Sequence, residues 1–322
     1  MKSAVLFLVI VLTTIGSPAQ EGIKPDNEAT TSNGQTLTHP VAVMRPITYS
    51  DRYCSGFVTR DKVPHGTFIS GSPQSPHASK LGSRDLVYII GENLHEGMLF
   101  SIVRELRDPN RSELFAGQHA LMNKAGQPYA ELGRVRVMDA GQKMAIGVIE
   151  FGCKAAVPGD LLLPFVEKPI IEVPPPAALD RFAPDNGHLT GRIVMAQDFD
   201  SFLGVGQKVY LSVGAEQRVK AGDVFRVFRA PVWELRDEVE ALSYKTTMME
   251  DSQKEPAQFR TGGLSLDPEF FDIGKGPKIK VADLPRRIVG EAVVLNVTGS
   301  SATAMITVAF EDIHAGDGVE AE

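Results

Sequence analysis

Cys54 and Cys153 are the only cysteines of the 322-residue chain, and the first stands in Tyr53-Cys-Ser-Gly-Phe-Val58. A cysteine that opens a helix has its thiol pKa lowered by the helix N-terminus, and a histidine base beside it completes a thiolate nucleophile. The residues after Cys54 do not supply that setting. Thr59-Arg-Asp-Lys-Val-Pro64-His-Gly66 places a proline and a glycine where the helix would run. No histidine opens the next apolar stretch, which begins Leu86-Val-Tyr88, and the nearest ones, His65 and His77, each follow a proline. The sequence therefore predicts no catalytic residue. It leaves two roles for the thiols, a Cys54–Cys153 disulfide or two buried free thiols. An even cysteine count in an exported chain points to the disulfide.

The other reactive residue types are dispersed. The seven histidines form no His-x-x-x-His pair, and His95-Glu96 lacks the second histidine that a zinc helix needs. No metal and no cofactor is predicted. Gly204-Val-Gly206 and Gly274-Lys-Gly276 precede no helix of a βαβ unit and read as turns. A net charge of −7 without a Lys/Arg cluster excludes nucleic acid as the main partner.

The elements around these residues begin with an N-terminal run. Lys2, the apolar stretch Ala4 to Leu12 and the small residues Ser17-Pro-Ala19 have the layout of a secretory leader, residues 1–19, cleaved before Gln20. The alternative is an uncleaved anchor, but the run is shorter than the roughly 20 residues that span a bilayer. No later stretch is apolar enough for a transmembrane helix. Export to the periplasm or outer envelope is the expectation. Residues 20–45, polar and without period, read as a flexible N-terminus. A first β module is expected over 46–165. A Pro-rich linker over 166–188 carries Val173-Pro-Pro-Pro176, and a second module follows over 189–322 with a mobile insert near 246–282. Val232 to Leu242 is the best helix candidate.

The two modules emerge from a duplication. Placing Gly133 on Gly290, an offset of 157, puts Val137 on Val294, Ala145 on Ala302, Ile149 on Ile306 and Gly159-Asp160 on Gly316-Asp317 without a gap. Upstream, Val87-Tyr-Ile89 matches Val209-Tyr-Leu211, and Phe100 to Arg104 matches Phe225 to Arg229. Gly66 to Ile69 is aligned with Gly191 to Val194. Strict alternation along these stretches predicts strands, and a single sheet covers its apolar face only by curling on itself. The expected fold class is all-β: two tandem β-barrel-like modules with a flexible N-terminus and long inserts. Arg104 and Arg229 end equivalent strands and are expected in salt bridges, with an anion site as the other reading. Gly-Asp at 159–160 and 316–317 reads as turn chemistry. Cys153 falls on Phe310, so its position reads as core-facing. Phe228 and Trp233 lie in or beside the second insert. They read either as a partner-contact aromatic cluster that stacks on sugar or protein, or as residues that pack the insert back on its barrel.

Arg134-Val-Arg-Val137, Ala145-Ile-Gly-Val-Ile149 and Val157-Pro-Gly-Asp160, with their second copy from Gly290 to Asp317, resemble the β-rich repeats that follow LysM modules in bacterial cell-wall proteins. They are also similar to the C-terminal domain of flagellar assembly protein T. The resemblance covers roughly 66–165 and 191–320 and implies an envelope structural or interaction role. No LysM module is present in the sequence. Cys54-Ser-Gly-Phe57 resembles the signature of NlpC/P60 cell-wall cysteine peptidases, but Tyr53 stands where that family has an acidic residue. The expected function is a non-enzymatic exported envelope protein that offers a binding or assembly surface to an envelope protein or cell-wall glycan. A cysteine peptidase using Cys54 and a carbohydrate- or peptidoglycan-binding module are the alternatives.

Overall fold

A short helix, α1 (Tyr49–Tyr53), and strand β1 (Phe57–Thr59) lead into a first barrel built from β2 (Phe68–Gly71), β3 (Leu86–Ile90), β4 (Leu99–Glu105), β5 (Gln127–Ala140), β6 (Ala145–Gly152) and β7 (Leu161–Pro164). Helix α2 (Gln118–Ala125) lies between β4 and β5. The structure is a computed structural model describing residues 46–73, 80–110, 112–141, 143–172, 180–230 and 285–322. The leader, the 20–45 segment, Pro174 to Pro176, the helix expected over 232–242, the 246–282 insert and Trp233 lie outside the described residues.

The strands of the first barrel are joined in the circuit β5-β4-β7-β2-β3-β6, and β6 pairs back with β5. The second barrel uses β8 (Thr190–Ala196), β10 (Lys208–Leu211), β11 (Val224–Arg229), β12 (Arg287–Val297), β13 (Ala302–Ala309) and β15 (Gly318–Ala321). Its circuit, β12-β11-β15-β8-β10-β13 and back to β12, is the same one. A small ribbon of β9 (Phe202–Leu203) and β14 (Ile313–His314) adds Leu203 and Ile313 to its core. Closure leaves each barrel's inward residues dry, among them Val87, Ile89 and Val137 in the first and Val209, Leu211 and Val294 in the second.

Strand registers confirm the duplication residue by residue. Val87 lies opposite Gly147 as Val209 lies opposite Ala304, and Val135 opposite Phe100 as Ala292 opposite Phe225. Gly133 and Gly290 occupy matching positions where a Cβ would strike the carbonyl oxygen of Phe151 or Val308. The alignment of β2 with β8 needs correction. Ile69 N–H donates to Asp160 O at 2.9 Å, and Ile193 N–H to Asp317 O at 2.9 Å. The counterpart of Ile69 is thus Ile193, not Val194. A one-residue slip exchanges the two faces of a strand: Ile193 points into its barrel and Val194 out of it. Cys153 also differs from expectation. Its counterpart is Phe310, but both lie at the end of the hairpin beyond the core, with Cys153 half-buried and Phe310 exposed.

Both helices are short. In α1 the Thr48 hydroxyl accepts from Asp51 N–H at 3.2 Å while Thr48 N–H donates to the Asp51 carboxylate at 3.0 Å, a capping box that fixes the first turn. Among the described residues no helix is long and apolar enough to cross a membrane.

Candidate functional site at the junction of the barrels

The residues with chemistry converge where the leading segment, 46–59, passes between the barrels. Cys54 is the C-terminal cap of α1, and its backbone N–H donates to Ser50 O at 2.9 Å. It is disulfide-bonded to Cys153 with the Cα atoms 6.1 Å apart. The expected bridge is therefore present, and it ties the leading segment to the first barrel. Two features run against the thiolate reading: the sulfur is bonded to Cys153, and Cys54 caps the C-terminal end of its helix, where the dipole disfavours an anion.

Beneath the disulfide lies a buried polar cluster. Glu131, on β5, accepts from Ser55 Oγ and Gly56 N–H, each at 3.0 Å, and from Lys168 Nζ at 2.7 Å. Lys168 Nζ also donates to Arg52 O at 2.9 Å, and Lys168 N–H to the Tyr53 hydroxyl at 3.0 Å. The carboxylate's charge is thereby paired and its oxygens are satisfied, as burial requires. Ser55 is fully buried in this cluster, so its hydroxyl positions the chain and cannot meet a substrate.

The same segment carries the contact with the second barrel. β1 pairs with β5 on one side. Thr303 Oγ1 donates to Gly56 O at 3.0 Å, and Thr298 Oγ1 to Val58 O at 2.5 Å. Gln197 Nε2 donates to Cys54 O at 2.8 Å, and Lys208 pairs with Asp51 at 3.2 Å. Burial works to raise the Asp51 pKa, but hydrogen bonds from Thr48 and the Lys208 charge outweigh it and hold the carboxyl below its ordinary value. Val58 and Ala125 pack on Val194, Met195 and Tyr210. The Tyr210 hydroxyl lies under Gly56 and makes no hydrogen bond among the described residues. Burial, with the Glu131 and Asp198 charges, drives its pKa upward. Gly56 has φ +66°, and a Cβ there would come 2.5 Å from that hydroxyl and 2.7 Å from Tyr129 O. A glycine is required on both counts.

The first insert also serves this junction. Gln118 Nε2 donates to Val194 O at 3.0 Å, Ser300 Oγ donates to Ala125 O at 2.7 Å, and the Arg192 guanidinium lies 4.6 Å from the Phe115 ring centroid. Helix α2 turns its buried ends, Gln118 and Ala125, to the neighbouring barrel and leaves His119, Ala120, Asn123 and Lys124 exposed.

The remaining predicted residues lie elsewhere. Arg104 grips Asp160 through Nε and Nη2, each at 2.7 Å, and Arg229 grips Asp317 in the same way at 2.8 Å. Each aspartate also accepts from its own turn, from Val157 N–H or His314 N–H. The Gly-Asp turns and the strand-end arginines are thus one device used twice, and the arginine forks are spent on it. Phe228 is buried beneath the Arg286 guanidinium, 4.7 Å away, and does not present a free ring face. A shallow cleft of about 910 Å³ runs along Thr59 to His65 and Gly126 to Tyr129. Tyr129 is buried and stacked on Phe57 with centroids 5.3 Å apart, so it gives this cleft no sugar-stacking platform. Among the described residues no group of three or more His, Cys, Asp or Glu could hold a metal ion.

Sequence reasoning found the cysteine pair and both Arg–Asp partners as separate residues. It missed Glu131, Lys168, Gln118 and β1. Of the junction, the sequence signalled the Cys54–Cys153 bridge, and the Thr48-x-x-Asp51 spacing is the further signal that could have marked the start of α1. No family model matches the chain, and no curated protein matches it.

Proposed function

We propose that the chain is an exported, non-enzymatic protein of the cell envelope whose paired barrels provide a binding or assembly surface. The Cys54–Cys153 disulfide carries this reading. It suits an oxidising compartment, and it places the one nucleophile candidate of the sequence in a structural bond. The junction supports it further. Leading segment, first insert and disulfide all serve to hold two barrels against each other, which leaves the outward faces of the barrels to meet partners. The resemblance of 133–160 and 290–317 to LysM-associated repeats supports partners at the cell wall.

The test is fractionation of cells producing the full chain, followed by native purification and a wall-digestion assay. The reading expects the protein in the envelope fraction, in a complex heavier than the single chain, with no release of muropeptides. Muropeptide release that is lost on Cys54→Ser would establish the peptidase instead. Retention on muropeptides without a protein partner would establish a glycan-binding module.

A further inference from the structure

Asn186-Gly187 lies just before β8, and both residues are exposed. A glycine after an asparagine puts no Cβ in the path between its own nitrogen and the asparagine side chain. That nitrogen can then attack the side-chain carboxamide. Gly187 has φ +74°, and no heavy atom lies within 4 Å of where its Cβ would stand. The chain has one other Asn-Gly pair, Asn33-Gly34, which lies outside the described residues.

Three groups are arranged around this pair. Gly187 N–H donates to Asp185 Oδ1 at 2.7 Å, so the proton that attack must release already points at a carboxylate. That hydrogen bond, ahead of a further one with Glu320 and the Arg286 charge, holds the Asp185 carboxyl below its ordinary value, and it is an acceptor at neutral pH. His188 N–H donates to Asn186 Oδ1 at 2.8 Å, where negative charge develops once the carboxamide carbon is attacked. Asn186 Nδ2 donates to Ala321 O at 2.9 Å, which anchors the carboxamide against the end of β15. The Asn186 backbone is anchored too: its N–H donates at 3.1 Å to Glu320, a 0% exposed carboxylate paired with Arg286.

We infer that Asn186 is a site of self-modification, converted through cyclisation onto Gly187 into aspartate or isoaspartate. The Gly187 nitrogen bonds to Asn186 Cγ and gives up its proton to Asp185. The Cγ–Nδ2 bond then breaks, and the amide takes that proton and leaves as ammonia. Water opens the resulting five-membered imide at either carbonyl, so the side-chain amide has become an acid. Release of ammonia makes the change one-way. Its effect falls on β15. Where Nδ2 donated to Ala321 O, a carboxylate oxygen now meets a carbonyl oxygen, and a new negative charge stands beside Asp185 and Glu320. The loop is thereby released from the end of the second barrel. This inference is independent of the envelope reading.

Peptide mapping by mass spectrometry of the full oxidised chain, held for days at neutral pH in buffer and in urea, is the test. The expected result is conversion of Asn186 to a mixture of aspartate and isoaspartate, faster in buffer than in urea. Asp185→Ser is expected to remove that difference and to leave the rate in urea unchanged. No conversion at Asn186, or conversion slower in buffer than in urea, overturns the inference. A difference that survives Asp185→Ser overturns the part given to Asp185. Asn186→Asp reads the consequence without the chemistry. It is expected to speed hydrogen exchange at Ala321 N–H, which donates to Leu189 O at 2.9 Å, and to leave the core residue Val319 unchanged. Unchanged exchange at Ala321 overturns the release of the loop.

Discussion

Arg229 and Asp317 form a two-point ion pair, Nε to Oδ1 and Nη2 to Oδ2 at 2.8 Å each, with both side chains under a tenth exposed. Its counterpart in the first barrel, Arg104 with Asp160, has the same geometry but an arginine side chain 35% exposed. Removing one partner of a buried pair strands the other charge, at a cost of about 3–5 kcal/mol. Asp317→Ala is expected to lower unfolding free energy by that amount in a denaturant titration. Asp160→Ala should cost less, because water reaches Arg104. Equal losses would mean that burial does not set the value of these pairs.

The disulfide closes a loop of 99 residues. The Cys54→Ser, Cys153→Ser double variant should lose about 2–5 kcal/mol. Hydrogen exchange should rise in α1 and β1 before it rises in either barrel core. Uniform exchange across the chain would show that the bridge does not specifically secure the leading segment.

Gly56→Ala places a methyl against the Tyr210 hydroxyl and Tyr129 O at a positive φ. Strain of this kind costs about 1–3 kcal/mol. Combining it with Tyr210→Phe should recover part of the loss, since the hydroxyl has no partner to lose among the described residues. Additivity of the two variants in thermal melts would separate the residues and contradict the close approach.

Glu291 is buried on the outer side of β12 with Oε1 unpartnered among the described residues. Burial, with a smaller push from Glu322 and a counter-pull from Arg226, raises its carboxyl to about 7 from 4.5. The folded protein then keeps a proton that the unfolded chain releases. Stability should therefore fall as pH rises between those values and level off above. Glu291→Gln should flatten this slope and raise stability at mildly alkaline pH by about 1–3 kcal/mol. An unchanged slope would assign the pH dependence to another group.

The barrels were legible because their information is local and periodic. Alternation at 145–151 and 302–308 gives strand and face together, and the offset of 157 carries through to the Gly-Asp turns. The β2–β8 slip arose because matching Gly66 to Gly191 ranks glycines above the pleat, although Ile69 and Ile193 are the residues whose backbone meets Asp160 and Asp317. The junction was mostly illegible. Glu131 meets Lys168 and Ser55 through tertiary contacts, and nothing at positions 55, 131 or 168 announces the others. Helix α2 has a weakly apolar composition and is held by Gln118 and Ser300 on a neighbouring barrel, not by its own periodicity. Phe228 is an apolar residue of a strand, and its burial under Arg286 depends on a residue far along the chain.

Intact mass of the protein recovered from cells, alkylated before and after reduction, tests the central claim most directly. An exported structural protein should begin at Gln20, take no alkyl group while oxidised, and take two after reduction. A mass retaining residues 1–19 with Cys54 alkylated at once near neutral pH would contradict both export and the structural role of the disulfide.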